Sequence, residues 1–85
     1  MRGKRFDAMQ TARGVLWEVK TDNFDTYTAA LRKIVIAKQV HELQRERDLA
    51  KACRYGFVVG VRSATHRAAL RASDPSLNIV VMDWC

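Results

Sequence analysis

Two short segments near the start of the chain, residues 5–9 and 15–20, alternate polar and apolar side chains, and they can be paired so that the two kinds fall on opposite faces. Successive residues of a strand point to opposite faces, so alternation of this kind reads as a strand with two unlike sides. Phe6, Ala8, Trp17 and Val19 form the apolar set; Arg5, Asp7, Glu18 and Lys20 form the polar set. Suppose Gln10 faces Val15 across the loop Thr11 to Gly14, with Gly14 supplying a backbone angle that other residues avoid. Asp7 then faces Glu18, Arg5 faces Lys20, Phe6 faces Val19 and Ala8 faces Trp17. A slip of one residue sets Asp7 opposite Trp17 and mixes the faces. The preferred register opposes two acids, which repel unless a cation sits between them. A local conflict of that sort is what functional sites carry.

The remainder of the chain supplies the layers around this ribbon. Thr21 to Thr26 is turn-rich, and Asp25 or Thr26 is placed to cap a helix. Residues 28–53 read as one long helix, with Leu31, Ile34, Ile36, Val40, Leu43 and Ala50 on a broad apolar face and Gly56 as its C-terminal cap. Phe57–Val61 is a continuous apolar run that reads as a strand buried on both faces. Ser63 or Thr65 caps a short helix to about Arg71, Pro75 stops it, and Asn78–Asp83 reads as a final buried strand. The order is strand, strand, long helix, strand, helix, strand. A strand–helix–strand unit favours parallel strands joined by a right-handed crossover. The expected fold is therefore α/β, with a mixed sheet of about four strands, an antiparallel hairpin at its N-terminal side and parallel strands beyond.

At 85 residues the chain, 1–85, is expected to be one small domain, or the C-terminal part of a longer chain. No apolar run approaches the roughly 20 residues that span a bilayer, and no signal peptide follows the basic Met1–Arg5. A cytoplasmic protein is expected, with delivery into a neighbouring cell as part of a longer secreted toxin the other reading. Fifteen Lys and Arg against nine Asp and Glu give a formal charge of +6, which favours polyanions such as nucleic acid. Arginine dominates the excess, and its planar fork suits phosphate. Cys53 and Cys85 lack zinc-site spacing; Cys53 reads as a small buried group. His41 and His66 lie among charged residues on expected helices and read as surface residues. Trp17 reads as core, and Trp84 as either core or a stacking surface.

The pattern Phe6-Asp7-(x)10-Glu18-Val19-Lys20, followed by a helix and two apolar strands, resembles the restriction-endonuclease-like PD-(D/E)XK superfamily. Within it, Leu16-Trp17-Glu18-Val19-Lys20-Thr21-Asp22 is similar to the nuclease toxin domains of bacterial polymorphic toxins. The resemblance implies a metal-dependent nuclease using Mg²⁺ or Mn²⁺. Asp7 matches the first metal-binding acid, Glu18 the second, Val19 the backbone carbonyl donor and Lys20 the residue that orients or deprotonates the attacking water. Many members carry a glutamine on the following helix that faces the site; Gln39 is the better match and Gln44 the weaker. The implied core lacks the family's usual first helix and strand, since only Met1 to Lys4 precede the Asp7 strand. DNA is the expected target ahead of RNA, and a toxin of this kind implies an acidic immunity protein as partner.

Other readings of the same residues are a solvated polar strand face with a Glu18–Lys20 ion pair, a catalytically silent nucleic-acid or protein-interaction module, and an assembly subunit or homodimer pairing through an open sheet edge. Arg62, Arg67 and Arg71 are candidate phosphate contacts, which position nucleic acid without reading its sequence; a basic helix face accounts for them equally.

Overall fold

The computed structural model describes the backbone of residues 8–10 and the whole of residues 14–82. The elements are β1 (Ala8–Gln10), β2 (Val15–Lys20), a 3₁₀ turn at Phe24–Thr26, α1 (Ala29–Ala52), β3 (Gly56–Val61), α2 (Ala64–Ser73) and β4 (Ile79–Val81). The sheet order is β1-β2-β3-β4. β1 runs antiparallel to β2, and β2, β3 and β4 run parallel. The mixed sheet and the element order are those read from the sequence. So is the hairpin register: Gln10 faces Val15, and Ala8 faces Trp17. Gly14, at φ 60°, supplies the left-handed backbone where β2 begins.

Two crossovers of the same hand along β2, β3 and β4 put both helices on one face of the sheet. The core lies between them: Ile36 and Leu43 of α1, Leu70 of α2, Val59 and Val61 of β3, Ile79 of β4, with Phe24 and Leu77 from the connections. In-register partners share a face, so Leu16, Glu18 and Lys20, paired with Phe57, Val59 and Val61, lie on the helix-covered side. This departs from the expected core, which ran through Trp17 and Val19. Those two are half-buried on the side away from the helices. Met82 packs over Gly60 on that side, at a place any Cβ would occupy.

Several local expectations are corrected. The buried stripe of α1 is Ile36, Gln39, Leu43, Glu46 and Ala50, a run of three- and four-residue steps. Leu31 and Ile34, expected on the apolar face, are 40% and 66% exposed because they fall off that stripe. The α1 cap is Thr28, whose Oγ1 accepts from the Leu31 N–H at 3.1 Å; Asp25 and Thr26 serve the preceding turn. Cys53 is exposed at the helix end. β4 is an edge strand rather than a fully buried one, with Val81 open to solvent. Ser63 does cap α2, accepting from the His66 N–H at 3.1 Å.

Helix α1 ends on Arg54, not Gly56. Arg54 has φ 64°; its N–H donates to the Lys51 carbonyl at 3.0 Å and the Tyr55 N–H to the Ala50 carbonyl at 2.8 Å. This is a Schellman closure with arginine where glycine is usual. A left-handed conformation costs a residue with a Cβ about 1–2 kcal/mol, and glycine's greater unfolded-state freedom returns roughly half of that gain. Arg54→Gly is therefore expected to stabilise the domain by about 0.5–1 kcal/mol, read as a rise of a few degrees in Tm. No change, or a fall, would show that the Arg54 side chain contributes more than its backbone costs.

Candidate functional site

The site is built where the parallel strands end. Ligands of open α/β sheets gather at the carboxyl ends of such strands, and the chain places its polar groups there. β2 delivers Glu18 and Lys20 to the helix-covered side. The connection then brings back Asp22 and anchors itself with Phe24, which is buried. Lys20, Asp22, Val35, Lys38, Gln39 and Glu42 line a cleft of about 340 Å³ between the end of β2 and the first half of α1.

Glu18 is only 5% exposed and Gln39 6%. A solvated strand face at Glu18 is therefore overturned: that face is the one α1 covers. Gln39 is likewise no ordinary exposed helix residue. Its Nε2 donates to Asp22 Oδ1 at 3.1 Å, and the Tyr27 hydroxyl donates to Asp22 Oδ2 at 3.2 Å. Burial, then the adjacent Asp22 charge, holds the Tyr27 hydroxyl above its usual pKa, so it remains a donor. On its other side Gln39 Oε1 lies 2.7 Å from His66 Nε2.

His66 is the residue sequence reasoning placed wrongly. It is 0% exposed, stacked on Phe24 with ring centroids 4.5 Å apart and planes within 4°. The available signal was its position one turn before Leu70 on the buried face of α2. Arg32 lies over Phe24 at 5.1 Å and donates to the Tyr27 and Asp25 carbonyls, fastening the 3₁₀ turn to α1. The Ser63 hydroxyl donates to Asp25 Oδ1 at 2.8 Å, fastening it to α2.

Burial lowers the His66 pKa; Asp22 and Asp25 oppose that shift and Lys20 adds to it. A histidine whose folded pKa is depressed binds fewer protons in the folded than in the unfolded state. Its stabilising contribution is full above the unfolded pKa of about 6.5 and is lost as pH falls towards the folded value. The urea midpoint is expected to drop between pH 7.5 and pH 5, and to drop less in His66→Phe. Equal slopes in the two proteins would remove His66 as the cause.

The other candidates are dispersed. Gln44 does not line the cleft; it donates to Asp74 Oδ2 at 2.9 Å, and the Ser76 hydroxyl, then this bond, hold the Asp74 carboxyl well below the usual range. Arg62 donates to the Thr21 carbonyl at 3.4 Å near the cleft's end of the sheet. Arg67 Nε is committed to the Ile79 carbonyl at 2.8 Å, and Arg71 is exposed in the last turn of α2. His41 is exposed, as expected. Asp7, Trp84 and Cys85 lie outside the described residues. Among the described residues no three His, Cys, Asp or Glu side chains gather as a metal site, and no helix is long and apolar enough to cross a membrane. Among the described residues, the carboxylates that suit a hard divalent ion are Glu18, buried on the covered face, and Asp22 and Glu42, which line the cleft.

Fold and cleft together define a small mixed α/β domain with a polar crevice between the carboxyl end of β2 and helix α1. The chain belongs to a family of unknown function (DUF6310), which it matches over residues 1–85. No curated protein and no solved structure matches it.

Proposed function

We propose that the domain is a metal-dependent nuclease with a restriction-endonuclease-like core, acting as a toxin effector on DNA. The observation that carries the reading is the joint placement of Glu18, Lys20 and Gln39. An acid and a lysine two residues apart on one strand share the covered face, and the glutamine that the resemblance singles out lines the same cleft as the lysine. The hairpin register supports it, and the reading requires Asp7 to continue that register and stand opposite Glu18.

On this reading Asp7, Glu18 and the Val19 carbonyl hold Mg²⁺ or Mn²⁺. When bound, such an ion lowers the pKa of a coordinated water and offsets charge building on phosphorus. Lys20 contributes a fixed positive charge beside the reacting phosphate, in a site partly shielded from water where such charge acts strongly. Arg62 and Arg71 lie exposed and are available to phosphates along the strand. The basic balance of the chain fits both a polyanionic substrate and an acidic immunity protein as partner.

A second reading, a catalytically silent binding module, is favoured by the commitment of Gln39 to Asp22 and His66. Incubation of supercoiled plasmid with the protein separates the two. Nicking or linearisation in Mg²⁺, absent in EDTA, is the nuclease result; DNA retarded on a gel but intact in both is the binding-module result.

A further inference from the structure

We infer that Asp22 and His66 are positioning residues that lock the Gln39 carboxamide with its amino group turned into the Lys20 cleft, so that Gln39 offers a hydrogen-bond donor to a phosphodiester oxygen. The geometry stands by itself; the identity of the acceptor rests on the nuclease reading.

A carboxamide can turn over with little steric change, so its partners decide its sense. Turned over, Gln39 would set Oε1 against Asp22 Oδ1, two acceptors at the 3.1 Å now spanned by a hydrogen bond. The amino group therefore faces Asp22, and Oε1 faces His66. It follows that His66 Nε2 carries the proton and donates at 2.7 Å, which leaves Nδ1 as a lone-pair nitrogen. Nδ1 is buried and has no hydrogen-bond partner among the described residues. A phenyl ring would stack on Phe24 as well and would bury no such nitrogen. What imidazole adds at this position is the Nε2–H that holds Oε1.

Each anchor is itself held from a different element. Tyr27 fixes Asp22 after the 3₁₀ turn, Phe24 fixes the imidazole plane, and Ser63 fixes the start of α2. Gln39 Nε2 has two hydrogens and one is taken by Asp22. The second belongs to a group that lines the cleft with Lys20 and Lys38 and with the carboxylates Asp22 and Glu42. An ammonium and an amide N–H in the lining of one cleft suit an anionic oxygen.

The test uses the side-chain amide signals of Gln39 in ¹⁵N NMR, with inorganic phosphate titrated in EDTA, alongside cleavage kinetics in Mg²⁺. In the wild type phosphate is expected to shift the Gln39 amide signals saturably. His66→Phe, which leaves the Gln39 Oε1 without its donor, should stay folded with Tm lowered by no more than about 10 °C, lose that shift, and lower kcat about 10–100-fold with little change in KM. Tyr27→Phe, which frees Asp22, should weaken the same shift and serves as the reporter if His66→Phe does not fold. Gln39 signals unmoved by phosphate in the wild type, or moved equally in the variants, overturn the inference. A normal phosphate response in a protein that cuts no DNA overturns the nuclease reading and leaves the positioning network standing.

Discussion

Lys20→Ala is expected to abolish plasmid cleavage, by at least about 10²–10³-fold in kcat, while leaving Tm within a few degrees of the wild type. The two halves of this result come from one placement. Lys20 is the last residue of β2, half-buried at the rim of the cleft rather than within the packed cluster. Shortening it removes no side chain from the core, so stability has little to lose. What disappears is the positive charge beside the reacting phosphate, which the proposed chemistry needs as charge builds on the equatorial oxygens. Cleavage retained within about threefold would remove Lys20 from the mechanism. Loss of cleavage together with loss of cooperative unfolding would make its role structural.

Leu43→Ala is expected to have the largest effect on stability. Leu43 is fully buried at the centre of the covered face, in the cluster with Val59 and Leu70 and one turn from both Gln39 and Glu46. Truncating such a leucine costs about 2–5 kcal/mol. A domain of this size has little more than that in reserve, since small chains bury a lower fraction of their surface. The expected fall in Tm is on the order of 10–30 °C, read by thermal denaturation. A fall of less than about 4 °C would mean that the helix layer does not close over the sheet as described.

The hairpin was legible because alternation excludes a slip of one residue and the loop from Thr11 to Gly14 selects among the registers left; Gln10–Val15 and Ala8–Trp17 pair as that argument requires. Alternation says that the two faces differ, and nothing in it says which one a helix will cover. The covered face of β2 proved to be the one with Leu16, Glu18 and Lys20, because β3 pairs with it in parallel and presents Val59 and Val61 to the helices from the same side. The α1 stripe was legible in part. Ile36, Leu43 and Ala50 stand seven apart, and that spacing brings Gln39 and Glu46 onto the stripe between them. Counting apolar residues alone drew in Leu31 and Ile34 instead. His66 was hidden by its charged neighbours in sequence, although Leu70 one turn away marks its face. Asp22 closes the Leu16-to-Asp22 run but was given no role there; its role comes from the hydrogen bonds of Tyr27 and Gln39 to it and of Gln39 on to His66, which no local pattern records.

Crystals of the domain soaked in Mn²⁺ test the central proposal most directly. The expected result is an anomalous peak within coordination distance of the Asp7 and Glu18 carboxylates and the Val19 carbonyl, with Lys20 alongside. An ordered Asp7 on the opposite side of the ribbon from Glu18, with no metal between them, would contradict it.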